Sequence, residues 1–434
     1  MDDTTHPPQV ATGSRAATLL RCSLVLIVLF IPNALRFPFA PLPGLNLLNI
    51  IFVVTLFFYY RAKREFGAET MKPPLRGYLF FFWFASFLAL VSGMAMGHVP
   101  ASFDDLVFFK NHLFYMGLYF LYYYGVRDRK TLDWVYWALI IVTAVAGLQA
   151  VRQAIDIGAT QYSVGARVYG PFGFDWSASN TAGIFYAQFA PLIFAEFIYQ
   201  PDRRLKLALL GAFVITTMGL FYTYSRKSYY ALAAACALVG ANVSKIVLLA
   251  LVAIIMTFPI WAPETAVERL EGNELELAEQ GVTMDESTES RFIIWEGARE
   301  MMKDYPLGVG LERFKFHIGQ YSQYANMDAH NYYVLVAAEM GPLGEIAYLL
   351  MVIMMYREGH RLGKVARTPR EKALAAGFKG TMIAFIMANS FGSAFNFGNI
   401  MGNLWALTAL VSRARILIER ETVPEEPEPL PLPP

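Results

Sequence analysis

Long apolar runs, separated by short polar segments that hold most of the charges, dominate the chain. A backbone in lipid must satisfy its hydrogen bonds within its own segment, so each run predicts a membrane-spanning helix. The shortest run, 228–241, needs flanking residues to cross. The pattern predicts an all-α polytopic membrane protein with about twelve transmembrane helices. These spans are residues 17–33, 45–60, 78–96, 107–125, 132–150, 181–199, 205–223, 228–241, 245–262, 333–356, 378–395 and 399–416.

The polar segments divide this layout into five parts. The last part ends in VPEEPEPLPLPP, a composition typical of a disordered extension. The predicted parts are an N-terminal tail (1–16), nine helices (17–262), a large loop (263–332), three helices (333–416) and a C-terminal tail (417–434).

The basic residues predict the orientation of these helices. About two thirds of the 36 lysines and arginines fall in segments that share a side with the N-terminus. Basic segments stay in the cytoplasm, so both termini are predicted inside and the 263–332 loop outside. The net charge of +1 offers no basic stripe for nucleic acid. Cys22 and Cys236 lie in apolar runs, which argues against a disulfide or a cysteine metal site.

The 263–332 loop has two contrasting halves. Residues 264–289 carry nine carboxylates with only Arg269 among them, which predicts a solvated flap. A metal site would need histidines or a tighter carboxylate cluster. The following RFIIWEGAREMMKD spaces Phe292, Trp295, Ala298 and Met302 three and four residues apart. This spacing predicts an amphipathic helix on the membrane surface.

Four residues on separate outer segments form a candidate site: Arg167, Arg226, Arg291 and His330. Guanidinium groups bind phosphate through paired, charge-assisted hydrogen bonds, and a histidine can accept a proton near neutral pH. Together they favour glycosyl transfer from a diphosphate-linked lipid, without a metal or another cofactor. Further candidates for lining this site are Lys227, Asn331 and Glu339.

Each candidate also has a structural interpretation. His330 stands near a helix start, with Asp328 as the expected cap, and it could serve only as a hydrogen-bonding group. Arg291 could pair with Glu289 or Glu296, and Arg167 could be solvated in its Gly-rich loop. Similar alternatives apply elsewhere: headgroup contacts for Arg226 and Lys227, a hydrogen bond inside the bundle for Glu339, and solvation for Arg313, Lys315 and His317.

The same segments resemble a known family. The motifs are R…W…A…M…DYPLGVGLERF from Arg291, an HN pair at His330, and ten residues between His330 and Gly341. RVYGPFGFDWSASNTAG from Arg167 and the SRKS turn at 225–228 add to them. With these motifs the chain resembles the bacterial O-antigen ligase and O-antigen polymerase superfamily over residues 165–345. The DWSASN stretch departs from the family pattern, in which a Pro-Asn pair is commoner.

The resemblance implies a GT-C-like membrane glycosyltransferase of the bacterial inner membrane, with a large periplasmic loop carrying short amphipathic helices. It implies a donor glycan on undecaprenyl diphosphate, and as acceptor another glycan or lipid A–core, in lipopolysaccharide or exopolysaccharide assembly. In this role Arg226 and Arg291 would hold the diphosphate with help from Arg167. His330 would be the general base that activates the acceptor hydroxyl.

The motifs do not separate a ligase from a polymerase or from a protein oligosaccharyltransferase. A rival interpretation from another class is a transporter or flippase of lipid-linked saccharide. Transporters commonly show internal repeats and ionisable groups at the membrane midplane. No repeat is evident in this sequence, and the ionisable candidates gather on the outer side. This distribution favours surface chemistry.

Overall fold

The structure is a computed structural model that describes residues 14–39, 41–42, 45–66, 69, 71–96, 100, 102–158, 166–267, 270 and 286–422. These residues form helices and connecting loops, and no β-strand occurs among them. The prediction of an all-α polytopic membrane protein is confirmed. The greater part of the acidic flap (271–285) and the end of the C-terminal tail (423–434) lie outside the described residues.

Thirteen α-helices of more than four residues are described in the part of the chain given above. Each of the twelve predicted spans overlaps one of them, and the thirteenth, α10, lies on the predicted amphipathic segment. The helices are α1 (Arg15–Phe30), α2 (Leu47–Phe66), α3 (Arg76–Ala95), α4 (Phe103–Gly125), α5 (Arg129–Asp156), α6 (Ser179–Tyr199), α7 (Arg203–Phe221), α8 (Arg226–Val243), α9 (Lys245–Met256), α10 (Glu286–Asp304), α11 (Tyr332–Val365), α12 (Pro369–Ser390) and α13 (Gly398–Thr422).

Six helices are long and apolar enough to cross a membrane by length and composition alone: α1 with its continuation to Arg36, α3, α5, α6, α7 and α11. The other helices are shorter or carry more polar and charged residues, so a count of twelve spans stays a prediction. α13 continues to Thr422, past the boundary predicted at residue 416.

The centre of the bundle is formed by α6 and α12. Every residue of α6 from Thr181 to Glu196 is buried, and α12 packs against both α6 and α8. A Cβ on Gly377 of α12 would lie 3.0 Å from the Cα of Leu192, so a small residue allows the two backbones to approach. α13 packs against α4, and α11 packs against α3 and α12. The first nine and last three predicted spans therefore share one core.

The helix order places the connections at two ends of the bundle. One end, called the site face below, carries the described residues of the segments 31–46, 96–102, 157–178, 222–225, 257–331 and 391–397. The other end, the opposite face, carries the described residues of the connections at 67–75, 126–128, 200–202, 244 and 366–368. All seven candidate residues lie on or next to segments of the site face.

Candidate functional site

His330 lies in the loop that leads into α11, and its backbone is left-handed, with φ of 51°. Its backbone N–H donates to Asp328 Oδ2 at 3.3 Å, and its Nδ1 is 3.8 Å from the same oxygen. Ser393 Oγ donates to that oxygen at 2.7 Å. Asp328 therefore supports the imidazole and is itself held by a residue of the 391–397 segment.

Two further hydrogen bonds hold the His330 loop in place. Trp295 Nε1 of α10 donates to the carbonyl oxygen of Ala329 at 2.7 Å. The backbone N–H of Tyr332 donates to the carbonyl oxygen of Gly392 at 3.2 Å. The loop is thus fixed between α10, which carries Arg291, and the 391–397 segment.

Backbone strain is concentrated on the site face. In the part of the chain that the structure describes, four residues other than glycine have positive φ: Tyr224, Glu312, Asn326 and His330. All four lie in connections of this face, and His330 is a candidate itself. Such conformations cost free energy and are typical of positions that the surrounding structure holds for function.

Arg167 lies against the turn that begins α8. Its Nε donates to the carbonyl oxygen of Thr223 at 2.9 Å, and its Nη2 donates to Asn180 Oδ1 at 2.9 Å. The next residue, Val168, donates its N–H to the carbonyl oxygen of Tyr222 at 3.0 Å. These hydrogen bonds place the guanidinium of Arg167 against the 222–225 turn, which Arg226 directly follows.

Lys227 connects the other candidates. Its Nζ donates to the carbonyl oxygen of Phe391 at 3.1 Å, and it interacts electrostatically with Arg291, Asp328 and Arg167. Arg226 is the first residue of α8 and is partly buried, as is Arg291 in α10. The structure therefore gathers the four predicted segments around Asp328 and His330.

The environment of His330 favours its neutral form. Burial lowers the pKa of this imidazole, and the positive charges of Arg291 and Lys227 lower it further, while the carboxylate of Asp328 opposes them. A neutral imidazole keeps one nitrogen lone pair. At neutral pH His330 is therefore ready to accept a proton.

Asn331 and Glu339 have structural contacts. Asn331 Oδ1 accepts the N–H groups of Tyr333 at 3.0 Å and Val334 at 3.3 Å, and so caps α11. The expectation that Asp328 is this cap was wrong, because Asp328 holds the His330 loop. Glu339 is buried, and its Oε1 accepts the N–H of Phe314 at 3.0 Å.

The Gly-rich turn at 307–310 docks into a break in α11. Gly341 is non-helical there, with φ of 63°, and the N–H of Gly310 donates to the carbonyl oxygen of Glu339 at 2.9 Å. A Cβ on Gly308, whose φ is 89°, would lie 2.4 Å from that same oxygen. The ten residues between His330 and Gly341 thus set the distance along α11 between the candidate base and the break into which the turn docks.

Two sequence interpretations in this region were wrong. Arg313 and His317 were expected in solvent, but both are buried. Arg313 donates from Nη1 and Nη2 to the two oxygens of Asp105 at 2.9 and 2.7 Å, which ties the 263–332 loop to α4. Ala178 stands at the N-cap position of α6, and Asn180 of this helix binds Arg167.

A known protein family matches part of this chain. Residues 211–349, about a third of the chain, match the family described as O-antigen ligase. All the candidates except Arg167 lie within the matched residues. No curated protein matches the sequence. The predicted resemblance to the O-antigen ligase and polymerase superfamily is confirmed, and it supports a membrane glycosyltransferase of this type.

Proposed function

We propose that this protein transfers a glycan from undecaprenyl diphosphate to an acceptor hydroxyl at the periplasmic face of the bacterial inner membrane. It would act as an O-antigen ligase or as a polymerase of a surface polysaccharide. The observation that carries this proposal is a histidine with a lowered pKa beside Arg291 and Lys227 at one end of a helical bundle. The match to the O-antigen ligase family supports it.

The cations would bind the leaving group. Arg226, Arg291 and Arg167 would hold the two phosphoryl groups by charge-assisted hydrogen bonds and stabilise the charge that develops as the diphosphate leaves. Lys227 would add a fourth positive charge, because its described hydrogen bond is to a neutral carbonyl oxygen. Asn331 and Glu339 would contribute by shaping the loops of the site.

His330 would act as the general base. Its Nδ1 is the nitrogen beside Asp328, so a proton on Nδ1 would leave Nε2 to accept the proton of the acceptor hydroxyl. The acceptor oxygen would form a bond to the anomeric carbon while the bond from that carbon to the diphosphate oxygen breaks. The products would be the new glycoside, with inverted configuration, undecaprenyl diphosphate and protonated His330.

The test is a reconstituted transfer reaction. Protein in lipid bilayers is incubated with the lipid-linked oligosaccharide of the producing bacterium, with and without lipid A–core, and the products are resolved by mass. A ladder of repeats without added acceptor would identify a polymerase, and a product that requires lipid A–core would identify a ligase. If the bound donor only changes its side of the membrane, the protein is a flippase and the proposal is wrong.

A further inference from the structure

A second feature of the site face is a cavity of about 760 Å³ beside the His330 loop. Its walls come from residues 30–39 and 46–48, α4, the loop before α6 with the start of α6, and residues 395–405. No aspartate, glutamate, lysine or arginine is among the described residues that line it. Aromatic rings are prominent among them, including Phe37, Phe39, Phe108, Phe174, Phe397 and Trp405. The cavity is therefore unlike the cationic cluster and is poorly suited to phosphate.

Four asparagines line the cavity, and three of them give its wall a polar character. The side chains of Asn111, Asn396 and Asn399 make no hydrogen bond to any other residue in the described part of the chain. Elsewhere, Asn331 and Asn389 use their side chains to bind the backbone. An amide offers two donors and an acceptor with two lone pairs. Several unused amides on one wall indicate a ligand with several hydroxyl or amide groups.

The wall of the cavity is also closely packed. Gly398 lies so close to Tyr115 that a Cβ at this position would be 1.9 Å from the tyrosine ring. The Tyr115 ring is therefore pressed against the backbone of the segment that carries Asn396 and Asn399. A rigid aromatic surface beside amide groups is a recognition surface that needs little ordering when a ligand binds.

The cavity shares its walls with the candidate catalytic site. Phe395 lines it and stacks on Tyr332, two residues after His330, with ring centroids 4.9 Å apart. Ser393, in the same segment, holds Asp328. On another wall, Thr181 follows the asparagine that binds Arg167. A ligand in the cavity would therefore be adjacent to the proposed transfer chemistry.

We infer that this cavity binds an uncharged sugar of the glycan substrate and selects it; the inference rests on the proposed function. Sugar rings pack their C–H faces on aromatic side chains, and their hydroxyls pair with amides. An isoprenoid chain would bury the three asparagines without partners, which is costly. A charged sugar would lose hydration, and no aspartate, glutamate, lysine or arginine is among the described lining residues to offset that loss.

Most of the cavity lies outside the part of the chain that matches the family. Phe37, Asn111 and Phe174 precede residue 211, and Asn399 follows residue 349. The matched segment carries most of the proposed diphosphate and proton chemistry. The cavity would therefore set which glycan this particular chain accepts.

The experiment measures saccharide binding separately from transfer. Oligosaccharides are released by mild acid from the lipid-linked pool of the producing bacterium and divided by anion exchange into uncharged and acidic fractions. Binding of each fraction to the full-length protein in nanodiscs is measured by saturation-transfer NMR and by titration. We expect the uncharged fraction to bind. Asn111→Leu, Asn399→Leu and Phe174→Ala should each weaken that binding by about tenfold or more.

Matched variants separate a local effect from misfolding. Asn242→Leu makes the same replacement at the end of α8 on the opposite face and should leave the affinity unchanged. Phe174 is 64% exposed, so its truncation should not disturb the core, and a thermal unfolding scan of each variant checks this. His330→Ala should lose transfer but keep saccharide binding.

The outcomes decide the inference in either direction. It is overturned if the cavity variants bind as the unsubstituted protein does, if only the acidic fraction binds, or if neither fraction binds. A further outcome also overturns it. Undecaprenyl phosphate would displace the bound saccharide from the unsubstituted protein, and the asparagine variants would bind undecaprenyl phosphate more weakly. The cavity would then bind the lipid and not the sugar. If uncharged saccharide binds in the cavity but no transfer occurs, the saccharide site stands and the proposed function fails.

Discussion

The cations around His330 and the buried cations of the opposite face are held by different kinds of partner. On the opposite face, Glu69 is almost completely buried and accepts Arg413 Nη1 at 2.6 Å and Arg127 Nη1 at 2.9 Å, with Arg420 as a third partner. On the site face, the amine of Lys227 donates to a backbone carbonyl oxygen. The described hydrogen bonds of Arg167 are to a carbonyl and to an amide.

The two kinds of partner differ in whether they neutralise the cation that they bind. A carboxylate neutralises the cation that it binds, and so it offsets the large cost of burying that cation. A carbonyl or an amide fixes the position of a cation and leaves its formal charge in place. The opposite face therefore uses its cations for stability. The site face keeps positive charge beside His330, as the proposed binding of a diphosphate requires.

The largest effect on the rate of transfer is expected at His330, the proposed general base. His330→Ala should lower the rate of transfer by roughly 10²- to 10⁴-fold, because a positioned general base contributes about this much to a rate. Donor binding, measured by equilibrium titration, should stay nearly unchanged. His360→Ala is the matched control, since His360 lies in the half of α11 next to the opposite face. A normal rate for His330→Ala would remove this residue from the proposed mechanism.

Arginine-to-lysine substitutions test the proposed diphosphate contacts, because they change the shape of a cation and keep its charge. Arg226→Lys and Arg291→Lys keep the positive charge but lose the planar fork of the guanidinium. Each should lower transfer by roughly 10²-fold, because a donor to the leaving diphosphate is lost. Arg152→Lys, at an 82% exposed position near the end of α5 toward the site face, should have no effect. Equal activity in all three variants would contradict the proposed diphosphate contacts.

The opposite face should respond in stability and not in chemistry. Glu69→Gln removes the carboxylate shared by Arg413 and Arg127 and leaves buried charges without their partner. We expect a loss of unfolding free energy on the order of 3–5 kcal/mol, seen as a lower midpoint of thermal unfolding. The transfer rate per folded molecule should be retained. Glu300→Gln, on the exposed side of α10, is the control and should unfold like the original chain.

The sequence was sufficient to locate the helices for a physical reason. In lipid each apolar run must satisfy its own backbone, so the length of a run largely decides its structure. The amphipathic helix α10 was also predictable, because Trp295 and its apolar neighbours repeat at helical spacing. The hydrogen bond from Trp295 to Ala329 was not, since it joins two segments whose separation depends on the packed loop.

Charged residues in the 263–332 loop show where the sequence is insufficient. Arg313 has no local signal of burial, because its partner Asp105 lies 208 residues earlier in the chain. The sequence position of Asp328 was typical of a helix cap, but in the structure Asp328 accepts a hydrogen bond from Ser393, 65 residues later, and holds the His330 loop. Asp105 lies in the first turn of α4 and accepts the N–H of Ser102, so the sequence explains it as part of a helix cap and gives no sign of Arg313.

The pH dependence of transfer offers the finest comparison, because it reports the charge around one imidazole. The pKa of His330 is lowered from the usual value of about 6.5, so the neutral base should persist as the pH falls through 6.5. The rate should decline only at a lower pH. Asp328→Asn removes the one neighbouring group that raises this pKa, so the acid limb of the rate profile should move to still lower pH. An acid limb that moves upward in this variant would mean that the neighbouring charges, that of Asp328 first among them, do not control the protonation of His330.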